Sequence, residues 1–136
     1  MRQHVSGAHA LLVGIAGASA VALGAFGAHA LRGVVDDHGL EIWHTGVEYH
    51  FMQALALFVA VIGLPHGRAR SVAITLFAVG IVLFSGSLYA LALGAPRLVG
   101  LATPVGGVAF IAGWVAVGLS LRGEHRRCSG APQKPG

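Results

Sequence analysis

Residues 71–93 read SVAITLFAVGIVLFSGSLYALAL, without one Asp, Glu, Lys or Arg. A helix crossing the roughly 30 Å hydrocarbon core of a bilayer needs about 20 mainly apolar residues at about 1.5 Å rise each, and this stretch is long enough. Arg68 and Arg70 precede it; Gly94, Ala95, Pro96 and Arg97 close it. Three more stretches share its character. The first covers about 8–31 and is closed by Arg32 and the polar run Asp36, Asp37, His38, Gly39. The second, about 41–64, has an apolar half preceded by a polar half holding Glu41, His44, Glu48, His50 and Gln53, and stops at Pro65, His66, Gly67, where proline and glycine end a helix. The fourth covers about 98–121 and meets Arg122. The expected fold is all-α: an integral membrane four-helix bundle with short loops over 1–122. The remaining 123–136, rich in Ser, Gly and Pro and without periodicity, is expected to be a disordered cytoplasmic tail.

Composition agrees. The 136 residues are 55% hydrophobic and only 10% charged, against about 25% charged in ordinary soluble domains, so a water-coated globule is excluded. Disorder needs low hydrophobicity, collagen needs glycine every third residue, and a membrane barrel needs alternating strands; none applies. A net charge of +4 would suggest nucleic acid in a soluble protein. Here Arg2, Arg68, Arg70, Arg122, Arg126, Arg127 and Lys134 fall on one side of an even-span chain, and Arg32 and Arg97 on the other. That asymmetry predicts a bacterial plasma (inner) membrane protein with both termini cytoplasmic. The partner it implies is the lipid bilayer, with attraction to anionic headgroups, and no nucleic acid. Ala28, His29, Ala30 imitates a signal-peptide cleavage site, but the preceding apolar stretch is longer than a typical signal core and carries five glycines, so the span is expected to be retained. Cys128, the single cysteine, can form no intramolecular disulfide.

Lipid tails are as apolar as leucine, so spans associate where small residues let backbones approach. Ala16, Ala20, Gly24 and Ala28 recur every four residues in the first span, beside Gly27; Gly86, Ala90 and Gly94 repeat the pattern in the third; Gly106 and Gly107 precede Ala109 and Gly113 in the fourth. These glycines are expected to pack helices rather than to bind phosphate.

Ionisable groups inside a span need partners or water. At about 100° per residue, Glu41, His44 and Glu48 share one helix face, while Tyr49, His50 and Gln53 share another. Trp43 and Tyr49 are read as interfacial anchors. His29, at the outer end of the first span, is a candidate donor to Glu48. Ser85 and Tyr89, i and i+4, are candidates to bridge to Gln53 or Thr103, or to return hydrogen bonds to their own helix. Thr103 beside Pro104 can satisfy freed backbone groups. A metal reading of His44, Glu48 and either His50 or His29 is weighed, but the second motif of di-metal bundles is missing. A hydrogen-bonded network is preferred, and no metal or cofactor is expected. Ser85 has no base in its own helix, so no nucleophile is assigned.

Four blocks in order, residues 23–31 (LGAFGAHAL), 45–49 (TGVEY), 83–89 (LFSGSLY) and 103–107 (TPVGG) with Gly113-Trp114, resemble the YgdD/YwdK-type bacterial membrane proteins of unknown function, which are related to a small eukaryotic transmembrane protein family. The resemblance covers nearly the whole chain to about Arg122. It implies four membrane spans and supplies no established activity. Members usually read Tyr-Gln-x-x-His-Ala on the second helix, where this chain has Tyr49-His50-Phe51-Met52-Gln53-Ala54. The exchange keeps the hydrogen-bonding groups on one face and moves the imidazole by about one turn, which favours a network over a metal site of fixed geometry.

The leading functional expectation is a structural or accessory membrane component that assembles with itself or with a larger complex, and not an enzyme. The alternative is a small transporter or channel subunit using an intramembrane polar cluster of His29, His44, Glu48, Tyr49, His50, Gln53, Ser85, Tyr89 and Thr103. A lipid-active enzyme ranks third, for want of a nucleophile paired with a base.

Overall fold

A computed structural model describes residues 5–129. Helix α1 (Gly7–His29) starts where the Ser6 hydroxyl accepts a hydrogen bond from the His9 N–H at 3.3 Å. Helix α2 (Asp37–Gly63) starts where the Asp36 carboxylate accepts from the Gly39 N–H at 2.7 Å. Both caps satisfy a donor that the first helical turn leaves without an intrahelical partner. The third span is built of α3 (Arg68–Gly80), one π-helical segment (Ile81–Ser85) and α4 (Gly86–Ala92). It ends where Gly94 takes φ 92° and the Ala95 N–H returns to the Ala90 carbonyl at 2.9 Å, a left-handed cap suited to glycine. A 3₁₀ turn (Arg97–Leu101) leads into α5 (Ala102–Ser129).

Four helical stretches are long and apolar enough to cross a membrane: Gly7–His29, Asp37–Gly63, Arg68–Ala92 and Arg97–Gly123. The all-α four-span architecture expected from sequence is the one observed. Two boundaries differ by four residues or more. The second span begins at Asp37, four residues before position 41, directly after its Asp36 cap. The fourth helix runs on past Arg122 to Ser129, so 123–129 are helical rather than a disordered tail; Glu124, Arg126 and Arg127 are good helix formers, and no proline interrupts before Pro132. The rest of the expected tail, 130–136, lies outside the described residues.

The spans pack in chain order: α1 on α2, α2 on the third span, and the third span on α5. Glycine notches set the seams. The Trp43 indole fills the space a side chain at Gly27 would need, and Val47 lies over Gly24. On the other flank of α2, Gly46 faces the Tyr89 ring. Between the third span and α5, Gly113 takes the Phe77 ring, Gly80 takes the Phe110 ring, and Gly106 lies on the backbone of Phe84. Two apolar clusters result. The larger, nearer the chain termini, centres on Leu57, Val61, Phe77 and Phe110. The smaller joins Leu31, Trp43 and Ala92 at the distal end.

The third span corrects one sequence reading. Before the π segment its buried positions are Arg70, Ala73, Ile74, Phe77 and Gly80; within it they are Ile81 and Ser85; after it they are Ser87 and Ala92, with Tyr89 partly buried. A π turn closes i→i+5 hydrogen bonds and holds one extra residue. Gly86 is exposed, with no atom within 4 Å of the place a Cβ would take, and Gly107 has only ordinary contact with the Phe84 ring. The stripe of Gly86, Ala90 and Gly94 is therefore not a packing seam; Gly94 is a cap.

These contacts separate glycines that look alike in sequence. Gly106→Ala drives a methyl into the Phe84 backbone, 2.8 Å from its Cα, and should destabilise the protein by about 1–3 kcal/mol, the usual cost of overpacking. Gly86→Ala should leave stability unchanged or slightly raised. Unfolding midpoints of the two variants in mixed detergent micelles check this.

Candidate functional site

Between the two apolar clusters lies a polar layer centred on His50, which is 5% exposed. Its Nδ1 is 3.0 Å from the Tyr89 hydroxyl on α4, and its Nε2 is 3.2 Å from Ser19 Oγ on α1. The direction of this chain follows from its last link. Ser19 Oγ is 2.6 Å from the Ile15 carbonyl, and two oxygens so close need the hydroxyl hydrogen between them. Ser19 therefore donates to Ile15 and accepts from His50 Nε2–H, which leaves Nδ1 to accept from the Tyr89 hydroxyl. The neutral Nε2–H tautomer, assigned from this pattern, satisfies every member. Three of the four spans are joined through one ring.

Other polar ties surround it. The Trp43 Nε1–H donates to the Leu23 carbonyl at 2.9 Å, and its ring packs 4.6 Å from that of Tyr89 and 5.6 Å from that of Phe26. Trp43 is thus a buried residue of the distal cluster, not an interfacial anchor. Thr103 Oγ1 donates to Ser87 Oγ at 2.6 Å, because the Ser87 hydroxyl is itself directed to the Phe84 carbonyl at 2.8 Å. At the opposite end the buried Arg70 donates from its terminal guanidinium nitrogen to the Val61 carbonyl at 2.7 Å, placing positive charge at the C-terminus of α2, where the helix dipole favours it. Gln53 Oε1, Ser85 Oγ and Arg70 Nε are buried without a hydrogen-bond partner among the described residues.

The expected cluster divides in two. His50, Gln53 and Ser85 are buried, and Tyr89 and Thr103 partly so; His29, His44 and Glu48 are exposed. Tyr49 is 38% exposed and packs its ring against Phe84 and, more distantly, Phe110. Ser85 reaches neither Gln53 nor Thr103; Thr103 pairs instead with Ser87. His29 makes no bond to Glu48: Glu48 lies on the α2 face turned away from α1. That outward face carries Glu41, His44 and Glu48, as their spacing predicts, and His50 points the other way. His44, Glu48 and His50 therefore do not converge, and no group of three His, Cys, Asp or Glu placed to hold a metal occurs among the described residues.

Sequence reading misses Ser19, Ser87 and Arg70. Ser19 is visible as a hydroxyl between Ala16 and Ala20 on the small-residue stripe, a place where a polar side chain meets a neighbouring helix. Ser87 lies two residues after the Ser85 chosen from the same stretch. Arg70 reads from sequence as a flanking charge, and only the fold turns it inward.

A groove of about 270 Å³ runs between α1, α2 and the third span. Leu12, Ile15, Leu23, Leu57, Ile81 and Val82 make it apolar, and Ser19 and His50 are its polar members. A serine beside a histidine invites a catalytic reading. The hydrogen-bond direction opposes it: the Ser19 hydrogen is directed to Ile15, and Nε2 presents a hydrogen to the oxygen instead of a lone pair.

Comparison with known proteins places residues 23–107 in the family described as protein of unknown function (DUF423). The matched region contains Trp43, His50, Tyr89 and Thr103; Ser19 lies before it. The chain is 48% identical over 102 residues to the UPF0382 membrane protein YwdK of Bacillus subtilis, covering 72% of this chain and 82% of the relative. It is 43% identical over 110 residues to the UPF0382 inner membrane protein YgdD of Escherichia coli K12, covering 76% and 81%. A UPF0382 membrane protein of Haemophilus influenzae is 39% identical over 107 residues, covering 78% and 86%. No solved structure matches.

His50→Ala removes two inter-helix hydrogen bonds and leaves the Tyr89 hydroxyl without an acceptor. Single inter-helix bonds in membranes average about 0.6 kcal/mol, and an orphaned buried group costs about 1–3 kcal/mol. His50→Ala should therefore destabilise by roughly 2–3 kcal/mol, and Tyr89→Phe by about 1 kcal/mol or less. Unfolding in detergent with rising dodecyl sulfate measures both.

Proposed function

The chain belongs to the DUF423 family of membrane proteins of unknown function, and from that premise we propose that it is an accessory component of the bacterial plasma membrane. It crosses the bilayer four times with both termini in the cytoplasm and assembles with copies of itself or with a larger complex. The observation that carries this reading is the use made of most interior polar groups, Gln53 Oε1, Ser85 Oγ and Arg70 Nε being the exceptions among the described residues. Ser19, Trp43, His50, Ser87, Tyr89 and Thr103 are all engaged in ties from one helix to another. A group already bonded within the protein is not free to bind a substrate or pass an ion.

The orientation rests on the charge asymmetry. By their order in the chain, seven of the nine Lys and Arg fall on the side of the four spans that holds the termini and two on the other. Arg70 is turned into the bundle, and the remaining six against two still favour cytoplasmic termini. The reading as a non-enzyme is supported by the direction of the Ser19–His50 bond.

Two measurements test these readings. Mass determination of the intact complex in mild detergent should find more than one chain per particle; a strict monomer with no bound protein would overturn the accessory role, and proton or ion flux through liposomes that His50→Ala abolishes would replace it with a transporter. For topology, a membrane-impermeant maleimide should label the native Cys128 in inverted vesicles and not in intact spheroplasts.

A further inference from the structure

Among the described residues of the four spans, only those of α2 turn ionisable groups outward well away from the helix ends. The exposed faces of α1 between His9 and His29, of the third span between Arg70 and Arg97, and of α5 before Arg122 carry none. On α2, Glu48 follows Val47, which lies over Gly24 of α1, five residues short of that helix's end at His29. At about 1.5 Å per residue, Glu48 sits roughly 9 Å below the distal end of α1, on the outward side of the bundle. No ion pair joins it to His44, although the two are four residues apart on the same face. Within one helix, a cation placed before an acid is the less favourable order. A carboxylate at that depth facing hydrocarbon is costly, so something of complementary charge must cover it.

We propose that the outward face of α2 is the contact surface between two copies of this chain, with His44 of each copy paired to Glu48 of the other. This rests on the accessory reading above and specifies its partner. The face is self-complementary, since it carries both the acid and the group that can donate to it. A twofold axis along the membrane normal sets equal residues opposite each other, and a separation of four residues, about 6 Å along the axis, is within reach of the two side chains. Two such pairs form at once. Toward the termini the same face continues as exposed Met52, Leu55, Val59 and Ile62. With Thr45 and Glu48 these alternate in steps of three and four, the 3.5-residue repeat that keeps a seam facing its partner in a left-handed helix pair. Glu41, one turn nearer the distal end than His44, is level with the distal end of α1, where water and headgroups can solvate it.

Site-directed cross-linking in membranes tests the surface on the full chain. In a background carrying Cys128→Ser, Leu55→Cys should form a disulfide-linked dimer on oxidation, whereas Val21→Cys on the outer face of α1 and Ile111→Cys on that of α5 should not. His44→Glu removes the donor and adds a like charge, and should weaken the dimer by roughly tenfold or more; combining it with Glu48→His exchanges the pair and should restore cross-linking at Leu55→Cys. Cross-links at Val21→Cys or Ile111→Cys in place of Leu55→Cys would overturn the α2 surface while leaving the accessory reading standing. A strict monomer with no bound protein would overturn both. Capture of a different protein by Leu55→Cys, with no second copy, would also overturn the proposal.

Discussion

Hydrocarbon offers no hydrogen bonds, so every polar group placed between these helices must find its partner in the protein. His50 meets that constraint with both ring nitrogens at once, and the helices on either side of α2 are positioned by it. The neutral tautomer lets the imidazole accept from one helix and donate to another without a buried charge. The apolar clusters on either side then need only fill space. They give cohesion through close contact, and the polar layer gives register, because a slide of one residue would break both bonds.

Beside that layer lies a local departure from α-helical geometry. Tyr89 follows the π segment at Ile81–Ser85, and α2 packs on the third span before, along and after that segment. The same segment lies against Gly106, where no side chain could be accommodated between α5 and the Phe84 backbone. The π segment thus lies between the His50 layer and the close contact of Gly106 with the Phe84 backbone. Ser85, at the end of this segment, is wholly buried with its hydroxyl unbonded among the described residues, a cost in polar satisfaction.

Much of this is legible in the chain. Length and charge of the apolar runs define four spans, because the bilayer imposes a minimum length that sequence can be measured against. Helical spacing puts Glu41, His44 and Glu48 on one face, which the fold exposes, and groups Tyr49 with His50 and Gln53, of which the fold buries only the last two. What spacing cannot say is which side faces in. Along the chain the deepest acid and its neighbours form one cluster; the fold divides them, with His50 in the interior and Glu48 on the perimeter. Trp43 misleads for a related reason, since an aromatic near a span end suits a headgroup zone equally well until a glycine notch such as Gly27 is found opposite it.

The sequence by itself determined the solvent of this fold, the number of its spans and the family to which the resemblance pointed, all of which depend on local composition and order along the chain. Only the tertiary structure decided which polar groups meet. Ser19, His50 and Tyr89 are far apart in the chain, and their encounter depends on the glycine notches that set how the helices pack and rotate against one another. Rotation about the helix axis is a relation between helices, governed by packing on both sides of a seam. No single stretch of the chain carries it.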